Sequence, residues 1–104
     1  MRPDVVHRPR FLLDLAEELT WFNERAGPEV ANRWYEAVCS TIEELRRHPG
    51  LGRLRRDLQP EGIRSWRVKG FARWLLFYVD RPGAVVFLRV RQGTMNLVVL
   101  DMTD

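Results

Sequence analysis

The chain has 104 residues, 45% hydrophobic and 11% aromatic, with a formal net charge of +3. That is enough for one domain over residues 1–104 with a small but real core, and it excludes a disordered or collagen-like chain. No apolar run approaches the roughly 18 residues of a membrane span, so no membrane association is expected.

The first residues, MRPDVVHRPRF, hold no apolar stretch of signal-peptide type, so no secretory signal is expected. Cys39 stands alone, which rules out a disulfide within the chain and suits the reducing cytoplasm. It falls in a helical pattern and is expected to be a small buried hydrophobe.

Val5-Val6-His7 reads as a short extended segment, and Pro9 fits the first position of a helix, where a missing N–H costs nothing. Leu12, Leu15, Ala16, Leu19, Phe22 and Ala26 then recur at spacings of three and four, which predicts one apolar helix face. Gly27 is the expected cap, and Pro28 opens a second helix. Val30, Trp34, Val38, Thr41, Ile42 and Leu45 form its stripe, and Arg46, Arg47 and His48 suit its negative end. Two helices with so short a link must run antiparallel.

The period then changes. Ile63 to Val68 is a candidate strand and Lys69-Gly70 a tight turn. Ala72 to Val79 is apolar on both faces, as in a central, doubly covered strand. Asp80-Arg81-Pro82-Gly83 is a turn cluster, and Ala84 to Gln92 is the next strand. Leu97 to Leu100 fits a strand or a short helix. The predicted fold is α+β with the order β-α-α-β-β-β. A helical hairpin packs on one face of a small twisted antiparallel sheet and leaves the other face open.

Charge is uneven along the chain. From Arg53 to Arg91 there are ten cationic side chains and three acidic ones. In the last strand, alternation places Val86, Leu88, Val90 and Gln92 on one face, expected as core. Val85, Phe87, Arg89 and Arg91 fall on the other, apolar at first and cationic toward Gly93. The hairpin brings the Lys69-Gly70 turn to the same end, so Arg67, Lys69, Arg73, Arg89 and Arg91 are expected neighbours. Arg64, Trp66 and Gln92 complete a candidate surface for anions or for acidic side chains of a partner. Trp34 and Trp74 are expected in the core, whereas Trp21 and Trp66 are candidates for a partner surface. His7, Cys39 and His48 have no ligand spacing, so no metal is expected, and no nucleotide or cofactor motif is present.

Ile63 to Tyr78, IRSWRVKGFARWLLFY, resembles the central signature of ParE-type toxins in the RelE/ParE superfamily. Asp14-Leu15, Pro49-x-x-Gly52-Arg53 and Leu88-Arg89-Val90 match further parts of the family pattern in the same order. The resemblance implies the toxin of a bacterial type II toxin–antitoxin system, held in a hetero-oligomer with a cognate antitoxin. It also implies one of two activities, inhibition of DNA gyrase or cleavage of messenger RNA on the ribosome. Many relatives end the last strand with His-Gly and then Arg-Asp, where this chain has Gln92-Gly93 and then Met95-Asn96. Gln92 transfers no proton, and Tyr78 lies five residues along its strand from Arg73. No catalytic residue is therefore assigned. The expected activity is ParE-like gyrase inhibition without catalysis. The alternatives are a RelE-like ribonuclease, or a degenerate member that only binds antitoxin.

Overall fold

The computed structural model describes residues 3–93 and Met102. The elements are β1 (Asp4–His7), α1 (Pro9–Ala26), α2 (Pro28–Arg47), a single 3-10 turn (Pro49–Leu51), β2 (Arg53–Leu54), β3 (Ile63–Val68), β4 (Phe71–Arg81) and β5 (Ala84–Gln92). Pro9 and Pro28 each sit in the first turn of a helix, where neither breaks a hydrogen bond. Gly27 alone separates the helices, at φ +88°, a backbone that a side chain would strain. Its N–H donates to Asn23 O, and its own carbonyl accepts from Ala31 N, so one residue both ends α1 and starts α2.

The five strands form one sheet in the order β1-β5-β4-β3-β2. Pairing is antiparallel from β2 to β5, and β1 adds to β5 in parallel. The apolar strand β4 is central, as its composition requires. The two-residue β2 was not visible in the sequence, because Arg53-Leu54 carries no strand pattern of its own.

The helices cover one face of the sheet. Phe11, Phe22, Trp34, Val38 and Leu45 pack there against Leu76, Tyr78, Phe87 and Val90. On the other face Ile63, Phe77, Val79, Val86 and Leu88 form a second cluster, which Leu58 and Met102 help to bury. The face expected to lie open is therefore partly closed from within the chain. The candidate element at 97–100 lies outside the described residues.

Three expectations need correction. The buried face of α1 is Phe11, Asp14, Glu18 and Phe22, while Leu12, Ala16 and Ala26 are exposed. Helical spacing alone favours the leucines, but Asp14 and Glu18 are drawn inward by distant polar partners. Cys39 is exposed, because the stripe through Trp34, Val38 and Leu45 turns position 39 outward. The strict alternation in β5 also fails. The register shifts opposite Phe77/Tyr78, so Phe87 and Val90 share the helix-side core and Val86 and Leu88 share the other. One extra residue in a strand reverses the facing of everything after it.

Candidate functional site

The eight candidate residues fall into separate environments. Arg89 and Arg91 lie on β5 beyond the end of β1, whose pairing stops at Phe87. Asp14 of α1 occupies the strand edge left free there. Its Oδ2 accepts from Arg89 Nε at 2.6 Å and from the Val90 backbone N–H at 3.2 Å. Its Oδ1 accepts from Arg89 Nη2 at 2.9 Å and Arg91 Nη1 at 3.3 Å. Arg91 Nη1 also donates to Glu17 at 3.1 Å. Arg89 and Asp14 are both buried. The two-point pairing of a guanidinium with a carboxylate is the strongest common charge-assisted geometry. These two arginines thus bind the first helix to the sheet.

Glu18 extends this polar seam. Its Oε1 accepts from the Trp74 indole N–H at 3.1 Å. Burial pushes the Glu18 carboxyl above its ordinary 4.5, Asp14 and Glu17 add to the rise, and the Trp74 bond and Arg91 oppose it. The folded chain holds this proton more tightly than the unfolded chain does. Ionising Glu18 as pH rises above about 4.5 therefore removes stability, and below that pH the contribution is complete. Glu18→Gln keeps an acceptor for Trp74. Urea unfolding from about pH 4 to 8 is expected to show a flatter decline in the variant than in the wild type, and equal slopes would contradict it.

Arg64 is committed elsewhere. Its Nη1 donates to Gly52 O at 2.8 Å and fixes the segment before β2. Gln92 lies opposite Trp74 at the end of β5, half-buried. Trp21 and Trp66 are half-buried against the helix-side core, and Trp34 and Trp74 are within it.

Arg67, Lys69, Arg73 and Trp66 come together. Arg67 pairs with Leu75 and Val68 with Phe71, so three residues of β4, Ala72 to Trp74, have no partner on β3. The ladder is irregular there, and a groove of about 860 Å³ lies beside it. Ala72 and the half-buried Leu75 supply apolar lining, and Arg53, Arg67, Lys69 and Arg73 bring cations to it. These four are exposed, and among the described residues their side chains make no hydrogen bond or ion pair.

Besides Arg53, two residues of the wall were missed from the sequence. Arg55 is buried and donates to Asp57 at 2.9 and 2.7 Å and to Ser65 Oγ at 3.2 Å. The Arg55 bond holds the Asp57 carboxyl at about 2, below its usual 3.8. Glu44, near the end of α2, is the other, and it is a carboxylate in a cationic groove. Neither carries a sequence signal, since only the pairing of β2 with β3 and the packing of α2 bring them there. Tyr78 does not reach the groove. It is buried, its hydroxyl donates to Pro49 O at 2.6 Å and accepts from Gly52 N at 2.9 Å, and burial raises its pKa. Glu61 lines a separate small hollow with Leu58 and Gln59.

Residues 5–97 match the family model of the ParE toxin of the type II toxin–antitoxin system, parDE. The chain belongs to the ParE toxin family. Toxin RelE3 of Caulobacter vibrioides is 33% identical over 85 residues, which covers 82% of this chain and 88% of that one. A chain of the chromosomal ParDE TA system from P. aeruginosa superposes with a TM-score of 0.73 over 88% of this chain and 96% of that one. At 14% identity that likeness speaks for the fold, an α+β arrangement of two helices on an open five-stranded mixed sheet. The chain is thus a type II toxin of the ParE/RelE family, and the family implies an antitoxin partner. Among the described residues no helix is long and apolar enough to cross a membrane.

Proposed function

We propose that this toxin acts in the cytoplasm by binding a protein target, DNA gyrase, and that a cognate antitoxin neutralises it in a hetero-oligomer. The observation that carries the reading is the groove of four cations, whose side chains make no bond among the described residues, around an apolar lining. Such a surface suits recognition of acidic side chains flanking an apolar one. Gln92 and the internal bonds of Tyr78 leave two positions near the strand ends without a proton-transfer role.

The test is pulse labelling of DNA and protein synthesis in bacteria just after the chain is induced alone. DNA synthesis is expected to stop first. Earlier arrest of protein synthesis, or arrest of neither, overturns the reading.

Glu44 favours a second reading, a ribosome-dependent endoribonuclease. A carboxylate can take the 2′-hydroxyl proton as the 2′-oxygen attacks phosphorus and nearby cations stabilise the phosphorane. The P–O5′ bond then breaks, leaving a 2′,3′-cyclic phosphate, and the 5′-oxygen takes a proton from water. Glu44→Gln separates the two. It leaves growth arrest intact if the groove only recognises a protein, and abolishes arrest if Glu44 moves the proton.

A further inference from the structure

Thr41 stands on the apolar stripe of α2, between Val38 and Leu45, and is itself fully buried. A hydroxyl in such a place needs partners. It donates to Ala37 O at 2.7 Å, a common return bond of a helical threonine. Its oxygen accepts the Lys69 backbone N–H at 3.0 Å. Lys69 is the first of the two residues that join β3 to β4, and a residue at that place in a turn has no ladder partner for its N–H. Thr41 supplies the partner that the hairpin lacks. Beyond the turn the ladder is irregular, and Ala72 to Trp74 have no partner on β3. There the Trp74 indole donates to Glu18 of α1 at 3.1 Å. The hairpin tip that carries Arg67, Lys69 and Arg73 is therefore held by side-chain bonds to both helices.

We infer that Thr41 is a positioning residue for the groove, holding the Lys69 turn on α2 so that the cations of the turn stand in register with Glu44. Glu44 lies three residues beyond Thr41, on the same side of α2, and lines the groove. The bond that docks the turn on Thr41 therefore also sets the distance from that carboxylate to the cations. Thr41 does not line the groove itself, so its effect passes wholly through the Lys69 backbone. Without the hydroxyl the Lys69 N–H loses its acceptor and the turn lifts from α2, while the apolar contacts of the helix remain. One hydrogen bond is small beside the whole fold, but it governs a local opening that needs no global unfolding. The inference rests on the groove being the working site, which both readings above share, and adds what keeps its shape.

The test compares three variants of the full chain. Thr41→Val keeps the shape without the hydroxyl, Thr41→Ser keeps the hydroxyl, and Val38→Ala opens a cavity on the same buried stripe. Exchange of the Lys69 amide hydrogen is followed by NMR, and growth arrest is scored on induction. Thr41→Val is expected to speed Lys69 exchange about tenfold relative to core strand amides, and to raise the survival of induced cells about tenfold. Thr41→Ser should return both toward wild type. Val38→Ala should leave the relative exchange of Lys69 unchanged and arrest growth as the wild type does. Full arrest by Thr41→Val, no rescue by serine, or an equal loss with Val38→Ala overturns the inference. Arg67→Glu with Arg73→Glu separates it from the reading beneath. Arrest that survives this double reversal, or no arrest by the wild type, overturns the groove as the working site and the inference with it. Arrest lost in the double reversal but complete in Thr41→Val overturns the inference alone.

Discussion

Asp14→Ala is expected to destabilise the fold by about 3–5 kcal/mol, as breaking one side of a buried ion pair typically does. The carboxylate receives Arg89 through two nitrogens, Arg91 through one, and the Val90 N–H. Alanine removes all four acceptor contacts at once and leaves the buried Arg89 charge without its bidentate carboxylate. It also uncovers the edge of β5 beyond β1. Asp14→Asn keeps the shape and one acceptor oxygen but loses the charge, and should fall between alanine and wild type. Glu17 bonds Arg91 from the exposed side, and Glu17→Ala should cost no more than about 1 kcal/mol. Urea unfolding at neutral pH measures the series. Similar values for Asp14→Ala and Glu17→Ala would mean that the seam does not hold α1 to the sheet. For the same reason, charge reversal at Arg89 reports on folding and not on recognition. The recognition variants belong at Arg67 and Arg73, which are exposed and whose side chains, among the described residues, make no hydrogen bond or ion pair.

Local rules made much of the fold legible. Pro9, Gly27, Pro28 and the Pro82-Gly83 turn delimit elements by backbone chemistry that acts within a few residues. The stripe of α2 was readable because its buried residues are nearly all apolar. The face of α1 was not, because two of its four buried residues are acidic and their partners lie 75 and 56 residues away. A helical pattern records hydrophobicity and has no means to register Arg89 or Trp74. The bulge in β5 and the parallel placement of β1 are likewise set by pairing, not by composition. The candidate site follows the same division. Arg67, Lys69, Arg73 and Trp66 gather because they flank one tight turn. Arg89 and Arg91 share a strand with the right charge but meet a carboxylate inside the fold. Arg53, Arg55 and Glu44 reach the groove only through tertiary packing. The motif match was informative beyond these rules, since Asp14-Leu15, Pro49-x-x-Gly52-Arg53 and Leu88-Arg89-Val90 coincide with contacts between distant elements.

Gly52→Ala tests the second of those contacts and is expected to cost roughly 2–5 kcal/mol, from overpacking and from buried polar groups losing partners. A β-carbon at position 52 would clash with the Tyr78 Oη and lie 2.8 and 2.9 Å from two ring carbons. Tyr78 is fully buried and its ring packs on Phe87, so a shift disturbs the core. Its hydroxyl also holds Pro49 O and Gly52 N, so a displaced ring releases both. The Arg64 bond to Gly52 O shifts with them. Tyr78→Phe removes the nearest atom and both bonds but leaves the ring carbons in place. The double variant should therefore be less destabilised than the sum of the singles, because the hydroxyl clash is counted once and the bonds are lost once. Strict additivity in a double-mutant cycle would show that the ring and position 52 do not meet. The consequence reaches the groove, since Arg53 follows Gly52 directly, Arg55 comes two residues later, and both line it. Loosening this anchor should weaken growth arrest on induction even under conditions where the variant stays folded, which ties the family's Pro-x-x-Gly-Arg spacing to the shape of the candidate site.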